Sequence, residues 1–136
     1  MAGSVKHWNE GHACHVVIDN AAHKNALSKE ILRDLVAVLT ANENPDIKIL
    51  FLRGSGGVFS AGADLNDITG TTDDTEYDEL VTAAAEAIGA FPGLVIAVVE
   101  GPCFGAAVHL ALSCDIRIAE TGATFRIPAT SLGLLY

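Results

Sequence analysis

Positive charge is scarce in this chain: 8 lysines and arginines stand against 17 aspartates and glutamates, a net charge of −9 over 136 residues. A phosphate backbone demands a basic face, so nucleic acid is not an expected partner. An anionic small ligand would need a local basic cluster working against the overall field. Cysteine is also sparse. Cys14, Cys103 and Cys114 form no C-x-x-C pair and leave an odd thiol, which argues against a disulfide framework or a zinc site and for a reduced, cytoplasmic chain. No apolar run reaches the roughly 18 residues of a membrane span, so no membrane partner is expected. The N-terminus lacks the basic-then-apolar order of a secretory signal.

What is present is a large apolar fraction, 50% of residues, in a length that suits one domain over residues 1–136. Residues 1–12 are mixed and polar and read as a frayed start. Cys14 to Asp19 is short and β-branched, a strand. Ser28 caps a helix whose apolar stripe is Ile31, Leu32, Leu35, Val38 and Leu39. Pro45 ends it, because the residue before a proline avoids the helical region. Ile47 to Arg53 and Leu94 to Val99 read as buried strands, and Gly101-Pro102 as a turn. Between them, Thr69 to Asp78 is polar and acidic, a loop suited to a ligand-gating lid or to plain solvation, and residues 76–90 form a helix. Gly105-Ala106-Ala107 opens a short apolar helix, and residues 114–119 and 124–128 are further strands. Strands alternating with helices argue for α/β architecture.

Twice an apolar strand ends in glycine, at Gly54 and Gly101, and a loop leads to a phenylalanine, a run of small residues and a helix. The first run, Phe59-Ser60-Ala61-Gly62-Ala63-Asp64-Leu65, and the second, Phe104 to Ala107, bring bare backbone amides to a surface. Amides of Ala63 and Ala106 converging on one oxygen would stabilise negative charge developing on it, the second with help from a helix dipole. Small side chains matter because a thioester or carboxylate must approach the main chain closely. A tight loop with small residues for packing is the alternative.

Phe59 to Leu65, Val95 to Gly101 and Ser113 to Ala119 stand in a set order, together with Asn25-Ala26-Leu27-Ser28 and Leu132-Gly133-Leu134. In these stretches the chain resembles the enoyl-CoA hydratase/isomerase (crotonase) superfamily, from about His15 to the last residue. The resemblance implies a crotonase-like spiral of ββα units, lacking the C-terminal helical region that relatives carry. It implies an acyl-CoA thioester substrate, with coenzyme A as part of the substrate and no other cofactor, and an enolate held by the amides of Ala63 and Ala106. Lys24, Ala26, Ala61, Asp64, Leu65 and Gly105 are the implied binding positions, with Lys24 toward the coenzyme A phosphates. A homo-oligomer, trimer or hexamer, or a complementing second chain is the implied partner.

Two departures narrow the chemistry. Family hydratases hold a glutamate where this chain has His109, and another where Ala129 follows Pro128. Both carboxylates for two-glutamate hydration are therefore absent, which leaves a lyase, isomerase or hydrolase. His109 is the acid–base candidate, against a histidine merely bonded to a backbone carbonyl; Asp67 and Glu100 are lesser candidates for the missing carboxylate. Cys103 is read as a packed small thiol, with a nucleophile beside His109 as the alternative, and Asp115 is read as structural. A catalytically inactive acyl-CoA-binding or assembly subunit is the alternative to an enzyme.

Overall fold

A computed structural model of the chain describes residues 3–63 and 74–127. In order, the chain forms β1 (Ser4–Glu10), β2 (Ala13–Asp19), α1 (Lys29–Ala41), β3 (Ile49–Gly54), α2 (Asp74–Ala90), β4 (Leu94–Val99), β5 (Pro102–Phe104), α3 (Ala106–Ser113), β6 (Ile116–Ala119) and β7 (Thr124–Arg126). Five strands make one sheet in the order β1-β2-β3-β4-β6, with β1 antiparallel and the other neighbours parallel. β5 and β7 pair in parallel to form a second, smaller sheet. Single bridges extend that sheet through Ser60–Cys103 and Leu27–Ala63.

The winding follows from this pairing. After β1, the strands of the large sheet run into a short segment of the small sheet and then toward a helix: β2, residues 25–27, α1; then β4, β5, α3. β3 and residues 59–63 make the same two steps, and β6 with β7 begins another round. The architecture is a mixed α/β spiral of ββα units. Ser28 starts α1 as expected, its Oγ accepting from the Ile31 N–H at 3.1 Å.

Alternation places one face of the large sheet inward, with Val16, Ile18, Leu50, Leu52, Val95, Ala97 and Val99 buried. Against them pack Ile31, Leu32, Leu35 and Leu39 of α1, and Tyr77, Val81, Ala84 and Ile88 of α2, in one core. Toward the end of the spiral the apolar surface is uncovered: Leu112, Ile116, Ile118, Phe125 and Ile127 are all exposed.

Three expectations are corrected. Residues 4–10 are an ordered strand, not a frayed start, because β1 pairs with the whole of β2. Residues 74–78 belong to the first turns of α2; acids there suit a helix N-terminus, and Glu76 is tied by Arg33 at 2.7 Å and Lys29 at 3.5 Å to α1. Residues 69–73, the rest of that acidic stretch, lie outside the described residues. Pro102 is not in a turn but begins β5, since the ladder to β7 extends the backbone there. Among the described residues no helix is long and apolar enough to cross a membrane.

Candidate functional site

The two small-residue runs that echo each other in sequence lie side by side. The Ser60 N–H donates to the Pro102 carbonyl at 3.1 Å, and the Phe104 N–H returns to the Ser60 carbonyl at 3.1 Å. Along the first run every amide but the last described one is committed. Phe59 donates to Glu100 O (2.8 Å), Ala61 to Lys24 O (2.9 Å) and Gly62 to the Ser60 Oγ (3.0 Å). The N–H of Ala63 comes next and has no protein acceptor among the described residues. Along the second run Gly105 donates to Arg126 O at 2.7 Å, and the Ala106 N–H, first in α3, is likewise without one. First-turn helix amides have no partner inside the helix, so this one is left for capping, water or a ligand.

Two glycines hold the runs this close. Gly62, at φ 90°, packs where a Cβ would fall 2.3 Å from the Phe104 carbonyl oxygen and 3.7 Å from the Ala106 nitrogen. Gly105, at φ 58° and ψ −122°, adopts a backbone region closed to side-chain-bearing residues and turns β5 into α3.

A third loop is fastened to the first by a buried amide. Asn25 is fully buried and sits at φ 56°, directly after Lys24 at φ 53°. Its Nδ2 donates to the Ser55 and Val58 carbonyls at 2.9 and 2.7 Å, and its Oδ1 accepts from the Asn20 N–H at 2.8 Å. Ser55 Oγ links the network to Asp19 at 2.9 Å. Asp19 is in turn paired with Lys6 at 2.7 Å, and hydrogen bonds from Lys6 and then Ser55 hold its carboxyl below the usual range. From above, the Tyr77 hydroxyl donates to the Leu27 carbonyl at 2.6 Å.

Among the sequence-predicted residues, Ala61, Ala63, Gly105 and Ala106 are therefore brought together on adjoining segments, with Ala26 buried in the loop beside them. Lys24 is exposed and makes no ion pair among the described residues. His109 is exposed one turn into α3; its ring has no hydrogen bond among the described residues, while its carbonyl accepts from Ser113 Oγ at 2.8 Å. Asp64, Leu65, Asp67 and Ala129 lie outside the described residues. Asp115 is structural as expected, its Oδ2 accepting from the Val95 N–H at 2.8 Å.

Cys103 is the packed thiol and not the nucleophile. Cys103 is fully buried, and burial, with the neighbouring Cys114 adding to it, pushes its thiol up to about 12. A neutral, inaccessible thiol is no nucleophile. Among the described residues no group of three or more His, Cys, Asp and Glu side chains suits a metal ion. A cavity of about 520 Å³ opens elsewhere, between β1 and the end of α1, lined by His7, Asn9, Cys14 and Asn42 among others, and contains none of the candidate residues.

Sequence reasoning missed Asn20, Ser60 and Tyr77 as parts of this framework and used Asn25 only as a motif position. The available signal was Asn25 itself in a loop between strand and helix, asparagine being the side chain that best tolerates a left-handed backbone.

Comparison with known proteins bears on the family and the fold. Residues 9–136 match the family described as enoyl-CoA hydratase/isomerase. The chain is 36% identical over 115 residues to the methylmalonyl-CoA decarboxylase of Escherichia coli, covering 82% of this chain and 44% of that protein. It is 32% identical over 123 residues to the mitochondrial enoyl-CoA hydratase domain-containing protein 3 of Rattus norvegicus, covering 88% of this chain and 41% of that one. Among solved structures, an enoyl-CoA hydratase/carnithine racemase from Magnetospirillum magneticum superposes with a TM-score of 0.92 at 28% identity, over 97% of this chain and 52% of that one. DspI of Pseudomonas aeruginosa superposes with a TM-score of 0.89 at 34% identity, over 96% and 55%. The chain thus spans about half the length of the relatives it matches. By the match over residues 9–136 and these likenesses, the chain belongs to the enoyl-CoA hydratase/isomerase family.

Proposed function

We propose that the chain binds an acyl-CoA thioester and stabilises the enolate of its acyl group, the N–H groups of Ala63 and Ala106 serving as the two donors. The observation that supports this most is that these two amides, on hydrogen-bonded neighbouring segments, are left uncommitted while the amides before them are used. Each such donor is worth roughly 3 kcal/mol in a transition state. Lys24 meets the coenzyme A phosphates, and Ala26, Ala61 and Gly105 line the path of the thioester; Asp64 and Leu65 are further binding positions on the resemblance alone. Coenzyme A arrives as part of the substrate, and the chemistry calls for no further cofactor.

Of lyase, isomerase and hydrolase chemistry, a carbon–carbon lyase asks least of the residues present. A carboxylate on the α-carbon leaves as carbon dioxide, and the electron pair of the broken bond becomes the enolate. A proton then adds to that carbon. The first step needs no base, which suits a chain with histidine and alanine at positions 109 and 129. The name of the Escherichia coli relative, methylmalonyl-CoA decarboxylase, accords with it. His109 is the proton donor. The test is carbon dioxide release from malonyl- and methylmalonyl-CoA, with hydration of crotonyl-CoA as the control. Release without hydration is expected, and His109→Ala should abolish it while thioester binding survives. Unchanged turnover in that variant removes His109 from the mechanism.

A second reading is a catalytically inactive acyl-CoA-binding or assembly subunit, favoured by the exposed Leu112, Ile116, Ile118, Phe125 and Ile127. That surface suits cover by other copies, in a trimer or hexamer, or by a complementing second chain. Binding of thioesters with no turnover of any of them selects it.

A further inference from the structure

We infer that Asn20 is a positioning residue for the Ala63 donor, acting through a chain of hydrogen-bonded peptides that ends on that N–H; the inference rests on the thioester reading above. The buried Asn20 side chain donates from Nδ2 to the Ala26 carbonyl oxygen at 3.1 Å. The nitrogen of that same peptide unit, Leu27 N, donates to the Gly62 carbonyl at 2.7 Å. The nitrogen of the Gly62 peptide unit is that of Ala63. Asn20, Ala26–Leu27 and Gly62–Ala63 are thus joined head to tail.

An amide is conjugated from oxygen to nitrogen. A donor pulling on its carbonyl oxygen draws density from its nitrogen and makes its own N–H a stronger donor, so bonds in series reinforce one another. The Ser28 N–H, donating to the same Ala26 oxygen at 3.1 Å, pulls in the same direction. The head of the chain is itself fixed. The Asn20 N–H donates to Asn25 Oδ1 at 2.8 Å, and its carbonyl accepts from the His23 and Asn25 N–H groups at 2.9 Å each. The Ala106 arm is built differently: the Gly105 carbonyl accepts from the Val108 N–H at 2.9 Å within the helix turn, with no side chain at its head among the described residues. Among the described residues, Asn20 is therefore the place where a side chain far from the oxyanion tunes one donor and not the other.

The probe is butyryl-CoA carrying ¹³C at the thioester carbonyl, with free coenzyme A as the reference ligand. In the ¹⁵N-labelled wild-type chain, adding it should shift the proton resonance of Ala63 downfield, and those of Leu27 and the Asn20 side-chain amide with it. In the infrared, the bound carbonyl should absorb at lower frequency than in water. Asn20→Asp keeps the shape but presents an acceptor to the Ala26 oxygen, and Asn20→Ser withdraws the donor. Each should return part of the infrared shift and weaken butyryl-CoA by up to about fivefold relative to coenzyme A, since a link changes a donor's strength by about 10–30%. Lowering the pH should restore the shift in Asn20→Asp as the introduced carboxyl takes up a proton and donates again. A purely structural role would lower the melting temperature and leave the carbonyl frequency alone. If Ala63 moves while Leu27 and Asn20 stand still, or both variants keep the wild-type frequency, the relay is overturned and the thioester reading stands. If the wild-type chain neither binds the thioester nor shifts its carbonyl, the thioester reading falls and the relay with it.

Discussion

Replacing Asn25 by alanine tests the framework without assuming any activity. The substitution strands two backbone groups whose one partner is the Asn25 amide, the Asn20 N–H and the Val58 carbonyl, and leaves the Ser55 carbonyl with the Val58 N–H at 3.4 Å. A buried group left unpaired costs about 1–2 kcal/mol, so the two together cost about 2–4 kcal/mol. Alanine at φ 56°, where asparagine is tolerated, adds about 1 kcal/mol. The expected loss is about 3–5 kcal/mol, a large part of the roughly 5–15 kcal/mol that holds a domain of this size. Urea unfolding followed by far-ultraviolet circular dichroism and by Trp8 fluorescence measures it. Asn25→Gly separates the two contributions: it relieves the left-handed strain but not the stranded groups, and should recover only about 1 kcal/mol. A loss below about 1 kcal/mol for Asn25→Ala would show that water reaches these groups and that the amide does not fasten the loops.

Two further outcomes are expected. Gly62→Ala places a methyl group 2.3 Å from the Phe104 carbonyl at a φ of 90°, so the two runs must separate; stability should fall by about 2–5 kcal/mol in the same unfolding assay, and a neutral result would mean that the runs are not packed as described. Cys103 and Cys114, each raised to about 12 chiefly by burial, stay protonated when folded at pH values where an unfolded cysteine has ionised. Their contribution to stability is complete below the unfolded value near 9 and is lost as pH rises from there toward 12; native thiols should resist iodoacetamide at pH 8 and react on unfolding, and rapid native labelling would contradict the burial.

Much of the spiral was legible because its determinants are local. The stripe from Ile31 to Leu39 with Ser28 before it specifies α1, and the run from Leu94 to Val99 specifies a strand buried on both faces. β1 was not legible, since six of its seven residues are exposed and it is a strand through pairing with β2. β5 is three residues long and owes its extension to the ladder with β7 and the bridge to Ser60, neither visible to a sequence window. The small residues at 61–63 and 105–107 marked where the backbone would be approached. That Asn20 and Asn25 fasten the loop over residues 20–27 to residues 55–58, just before the first run, was hidden, because each reads locally as an ordinary turn asparagine.

The two candidate donors are main-chain nitrogens of residues that already are alanine. A conventional alanine scan would pass over Ala63 and Ala106 in silence, and most side-chain exchanges there would report crowding in place of lost chemistry. Genetic tests of the site must instead take away the nitrogen-bound hydrogen itself, as proline or an ester in the main chain does.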